Sequence, residues 1–147
     1  MCAAASCTRR CPRDASSWPE ATSGNLARLL LSRAAEDEAA ARELLPVDRV
    51  TDAIIAFHAQ QTVEKVLKAV LASRDVEFPF THDLRALEEL CASNGIAVPS
   101  EIETLDLLTP YAARARYEAP DPATVDRKTA LALASTALRW GRGIIDG

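Results

Sequence analysis

After Gly24, apolar residues recur every three or four positions, and Val, Ile and Thr do not gather into the alternating runs of strands. Leu26, Leu29, Leu30, Ala34, Ala41, Leu44 and Leu45 mark a first helix, which Asn25 can cap and Pro46 stops. Asp48 or Thr51 opens a second, longer helix that runs to about Ser73. The connector RDVEFPF follows, held extended before Pro79. Thr81 or Asp83 caps a third helix, LRALEELCASN, with Gly95 placed as its C-terminal stop. Ser100 and Glu103 have capping-box spacing for a fourth, EIETLDLLTPYAARARY, which Pro110 kinks or divides. Past the break EAPDP, Asp121 or Thr124 opens the last helix, which reaches about Ile145. Long amphipathic helices joined by short connections pack antiparallel. The expected fold is therefore all-α, an antiparallel up-and-down bundle of four to five helices over residues 25–147, with residues 1–24 a disordered leader.

The second helix carries an unusual pattern. Wound as a helix, FHAQQTVEKVLKAVLA and the residues before it put Ile55, Ala59, Thr62, Val63, Val66, Leu67, Ala69 and Val70 on one broad apolar face. His58, Gln61, Glu64, Lys65 and Lys68 share the other face with Ile54, Phe57 and Leu71, and Gln60 stands apart near the edge of the apolar face. A solvated face would not need Ile54, Phe57 and Leu71 in its midst. The helix is expected at the centre of the bundle, its polar stripe partly enclosed. Enclosed charges must be paired. Asp37 on the first helix lies near the same seam, and Glu64 and Lys68, four apart, form an ion pair along their own helix. Two readings stay open. In one, Asp37, Gln61, Glu64, Lys65 and Lys68 form a polar cluster that fixes bundle register. In the other, the lysines and Gln61 line a cleft for a phosphate or base.

Composition narrows the classes. The chain has 147 residues, enough for one domain with its own core, and it is rich in Ala and Leu but poor in aromatics. A net charge of -4 argues against a generally basic nucleic-acid binder. Arg114, Arg116, Arg127, Lys128, Arg139 and Arg142 nevertheless outweigh Glu118, Asp121 and Asp126 toward the C-terminus, which allows a local basic patch. No apolar run approaches the length of a membrane span, and the first residues lack the order of a signal peptide. Cys2, Cys7 and Cys11 have no His or fourth Cys nearby at zinc-like spacing, so no metal is expected, and Cys91 reads as a small core residue. A reduced, cytoplasmic protein with no membrane partner fits these features.

FHAQQTVEKVLKAVLASRDVEFPFTHDLRALEELC, followed by LLTPYAARARY and preceded by the run Leu30 to Asp37, resembles the HEPN domain (higher eukaryotes and prokaryotes nucleotide-binding) over roughly Asn25 to Gly143. The resemblance implies a bundle of four or five helices, cytoplasmic and often dimeric. It also implies a small nucleotidyltransferase as partner, in many cases as a toxin–antitoxin pair, and no cofactor. The positions matching the family are Asp37, His58, Gln61, Glu64, Lys65, Lys68, His82, Arg116 and Tyr117. From these, Lys65, Lys68 and Arg116 would bring positive charge to a nucleotide or RNA, and Gln61 and Tyr117 would orient it. Asp37, His58 and Glu64 would form a structural polar cluster. RNase members of the family use an Arg, four to six residues, then a His. Here Arg74 lies too far before His82, Arg49 too far before His58, and the last helix has no His. The expectation is a non-catalytic nucleotide-associated binding module. The alternatives are a metal-independent RNase toxin using His82 with Arg116, and a subunit whose polar stripe serves only protein–protein assembly.

Overall fold

The computed structural model describes residues 22–102, 108–110 and 125–147. Among them are four helices and no strand: α1 (Ser23–Leu44), α2 (Asp52–Ser73), α3 (Leu84–Ser93) and α4 (Arg127–Ile145). The chain is an all-α helical bundle.

The ends of the helices follow local chemistry, with two shifts from expectation. Thr22, not Asn25, is the N-cap of α1, so Ser23 and Gly24 belong to the bundle and not to a leader. Thr22 makes no side-chain cap; its carbonyl accepts from the Asn25 and Leu26 amides, which seats Asn25 inside the first turn. Asp126, not Asp121 or Thr124, caps α4, its carboxylate accepting from the Lys128 and Thr129 amides. Thr51 precedes α2 and Asp83 caps α3 by accepting from the Arg85 and Ala86 amides. Helices α2 and α3 end alike. After α3, Gly95 turns left-handed at φ 72°, its amide bonds Ala92 O and the Ile96 amide bonds Cys91 O. After α2, Asp75 takes that conformation at φ 55°, with Asp75 N bonded to Ala72 O and Val76 N to Leu71 O. This is the paired closure that satisfies the last carbonyls of a helix. Beyond Ser100–Ile102 the expected fourth helix, including Glu103 and most of its length, lies outside the described residues.

Helix α2 packs against each of the other three. Contacts fix their directions. Ala41, near the end of α1, meets Ile55, near the start of α2, so these neighbours run antiparallel. Leu131, near the start of α4, joins that same cluster, and Asp52 and Arg127 bond at 2.6 Å, so α2 and α4 begin together and run side by side. Arg127 also donates to the carbonyls of Leu45, Val47 and Val50, tying the α1–α2 turn to the start of α4. At the far end Gly141 lets α4 press on α2: a Cβ there would sit 2.7 Å from Val66 Cγ1 and 3.3 Å from Leu31 Cδ1. The main core gathers Val63, Val66, Leu67 and Val70 of α2 with Leu31, Leu84, Leu87, Ala134 and Leu138. Cys91 is fully buried in it, and burial together with Glu88 pushes its thiol up to about 11, so it stays protonated and inert. Leu71 is buried, whereas Ile54 is exposed at one end of α2. Among the described residues no helix is long and apolar enough to cross a membrane.

Candidate functional site

The polar stripe of α2 is enclosed, and it is one connected network. Asp37 on α1 pairs with Lys65 Nζ, and its Oδ1 lies 3.1 Å from His58 Nδ1. Lys65 Nζ also donates to Gln61 Oε1 at 3.3 Å, and Gln61 Nε2 donates to Gln60 Oε1 at 2.7 Å. Gln60 Nε2 donates onward to Glu64 Oε2 at 2.9 Å. Lys68 Nζ donates to Glu64 Oε1 at 2.7 Å. His82 Nδ1, from the connector, lies 3.1 Å from both Glu64 oxygens. A chain of hydrogen bonds therefore joins Asp37 to His82. Among the described residues no buried side-chain nitrogen or oxygen lacks a partner.

The helix geometry accounts for this order. Gln60 and Glu64, Gln61 and Lys65, and Glu64 and Lys68 are each four apart on α2, so each pair shares a strip of its surface. Gln60 and Gln61, adjacent in sequence, link the two strips. The expectation that Gln60 stands apart is corrected: it is fully buried and is the bridge of the network. Its amide, once desolvated, has to bond the nearest polar groups, and these are Glu64 and Gln61.

Both carboxyls are held below their ordinary values. Burial alone would raise each of them. For Glu64, hydrogen bonds from Lys68 and Gln60 and the charge of Lys68 outweigh burial. For Asp37, bonds to His58 and Lys65 and the charge of Lys65 do the same. An ionised carboxylate only accepts, so each histidine donates from Nδ1 and presents Nε2 as the free ring nitrogen in its neutral form.

The site residues fall out as follows. Gln61, Lys65, Lys68, Asp37, His58, Glu64 and His82 are brought together. Lys65 and Lys68 are each neutralised by a carboxylate, with side chains only 27% and 11% exposed, so neither ammonium stands open to a phosphate. His82 is not occupied at the entry to α3; that work is done by Thr81 Oγ1 and Asp83, and the ring reaches across to α2. Its side chain is 57% exposed, making it the surface end of the network. Phe80 beside it is 96% exposed, meets the His82 ring edge-on at 5.7 Å and has Lys68 Nζ 6.0 Å from its centroid. Arg116 and Tyr117 lie outside the described residues, as do Cys2, Cys7 and Cys11. No three His, Cys, Asp or Glu side chains among the described residues converge as metal ligands. Two further pairings had no local signal: Asp52 with Arg127, and Glu38 with Ser135, each joining residues far apart in the chain.

An all-α bundle whose central helix carries a buried, fully bonded polar spine is the class the geometry defines. The chain belongs to the HEPN family: the sequence profile of the HEPN domain matches residues 27–144, and this is a nucleotide-binding and RNase-type family. No curated protein and no solved structure matches the chain.

Proposed function

We propose that this protein is a non-catalytic HEPN binding module that receives a nucleotide base at the His82–Phe80 end of its polar spine. It works as a homodimer or beside a small nucleotidyltransferase, in the manner of a toxin–antitoxin pair. One observation supports the reading above the others. At the outer end of the spine a wholly exposed aromatic ring stands next to a histidine that is more than half exposed and has a free Nε2. An exposed phenylalanine ring offers a stacking face, and stacking of a base on an aromatic side chain contributes about 1–3 kcal/mol. Lys68, below the ring, holds Glu64, and Glu64 holds His82; Gln61 and Lys65 act from behind by keeping that arrangement fixed. Arg116 and Tyr117 complete the proposal as phosphate and base contacts.

Titration of the purified protein with AMP and ATP tests it. Phe80→Ala leaves the fold intact, since the ring touches little of the core, and weakens binding by about tenfold or more. Equal binding by wild type and variant would remove the stacking role. Light scattering reads the dimer. The neighbouring reading frame, searched for G-S-x-A-x-G followed by D-x-D, tests the nucleotidyltransferase partner.

A second reading has its own support. Glu64 bound to His82 Nδ1 orients the ring as a general base or acid, with Nε2 outward, and an arginine such as Arg116 would steady phosphorane charge. RNA cleavage lost in His82→Ala would favour the RNase over the binding module.

A further inference from the structure

The seam between α1 and α4 carries a second charged cluster, which shares no hydrogen bond with the spine on α2. Glu38, one position past Asp37, turns toward α4 and is buried. Ser135 Oγ donates to its Oε1 at 2.6 Å, and Arg42 Nη2 pairs with the same oxygen. Arg42 Nη2 also donates to Ser135 Oγ at 3.2 Å. Arg139 and Arg142 of α4 line the same recess, about 280 Å³ in volume, with Leu138 as its apolar wall. Burial pushes the Glu38 carboxyl up, but the bonds from Ser135 and Arg42 and the charges of Arg42 and Arg142 outweigh it. Glu38 is therefore ionised; its hydrogen-bonded ion pair is with Arg42, and its charge is also felt by Arg142.

The remaining positive charge is not compensated. Three guanidinium groups face one carboxylate around this recess. Among the described residues neither Arg139 nor Arg142 forms an ion pair, and only Nη2 of Arg42 is engaged, which leaves its Nε and Nη1 donors open. The end of α4 favours a cation at Arg142, yet Arg139 and Arg142 are three apart on one helix and repel each other. A planar guanidinium fork matches the oxygens of a phosphate, and several around one recess match it better than any lysine would.

We propose that Arg42, Arg139 and Arg142 form a phosphate-binding site at the α1–α4 seam, distinct from the His82–Phe80 surface, with Glu38 and Ser135 holding Arg42 in place. Its ligand is a phosphate group, either the terminal phosphate of a mononucleotide or a backbone phosphodiester of an RNA strand.

The test titrates the full chain with inorganic phosphate, AMP and a short single-stranded RNA, wild type beside the double variant Arg139→Ala/Arg142→Ala. Both side chains are exposed, so the variant keeps its fold, which its unfolding midpoint verifies. The expected result is binding of AMP or RNA by wild type and a loss of about tenfold or more in the double variant. Tight AMP binding with weak RNA binding assigns the monoester; RNA binding that falls steeply with added salt assigns the backbone phosphate. Phe80→Ala leaves the double variant's loss unchanged, so this site and the stacking surface fail or succeed separately. Equal affinity in the double variant, or binding of none of the three probes by wild type, overturns the proposal.

Discussion

Asp37 and Glu64 are built from the same parts and differ in where those parts come from. Each carboxylate has one lysine and one histidine Nδ1 at bonding distance. Asp37 belongs to α1 and takes both partners from α2, so its bonds pin one helix to another. Glu64 takes Gln60 and Lys68 from its own helix, and only His82 comes from outside. Its centre therefore holds the connector after α2, not a second helix. Depth differs as well: the Glu64 side chain is 6% exposed and that of Asp37 18%. A pair formed within one helix survives loss of tertiary contacts but gains its strength from being buried by them. A pair formed between helices exists only when the helices are in register. Identical chemistry thus serves register at one end of the spine and loop docking at the other.

The largest effect should come from removing the inner lysine. Lys68→Met leaves the buried Glu64 carboxylate without its cation and should cost about 3–5 kcal/mol in urea unfolding, whereas Lys65→Met should cost about 1 kcal/mol, because its pair is closer to solvent. Equal losses would mean that depth does not separate the two centres. Next come the isosteric acids. Glu64→Gln should cost about 2 kcal/mol at neutral pH and Asp37→Asn less. Both carboxyls lie below their ordinary values when folded, so their stabilisation is complete above the unfolded value of about 4 and is lost as pH falls through the lower folded values. Stability measured through that acid range should accordingly be flatter in Glu64→Gln and in Asp37→Asn than in the wild type.

Gly141→Ala probes the opposite side of α2 and sets the control. The added Cβ would meet Val66 and Leu31, and overpacking should outweigh the better helix propensity of Ala by about 1–2 kcal/mol. Because the clash lies outside the spine, the gap between the Lys68→Met and Lys65→Met losses should persist in its presence. The smallest effect concerns the exit of α2. Asp75→Gly relieves a left-handed residue at the start of the connector that carries His82, and should stabilise by about 0.5 kcal/mol, less the added freedom of Gly in the unfolded chain. A thermal melt decides the sign; a loss would show that the Asp75 side chain contributes there.

Much of this was legible one residue at a time. Ile54, Phe57 and Leu71 among polar neighbours marked α2 as a central helix, and Leu71 is indeed buried with Glu64 and Lys68. Spacing of four placed Glu64 against Lys68, because the contact depends only on helix geometry. Asp83 and Gly95 bounded α3 by local turn chemistry. Gln60 was placed rightly near the apolar face, but its bonds to Glu64 and Gln61 were missed, because the neighbouring helices decide which way a residue at that edge turns. Nothing near His82 in the sequence marked Glu64 as its partner, because that partner lies on another element. The starts of α1 and α4 were shifted because several residues in each region could cap, and packing chose among them.

The sequence by itself determined the helices, their approximate order and the central place of α2, since periodicity and capping act within a few residues. Only the tertiary structure decided which charge meets which. Asp37 with Lys65, Glu64 with His82, Glu38 with Ser135 and Asp52 with Arg127 join residues on different elements. Such pairs are fixed by the demand that every desolvated charge find the nearest partner once the apolar faces have closed.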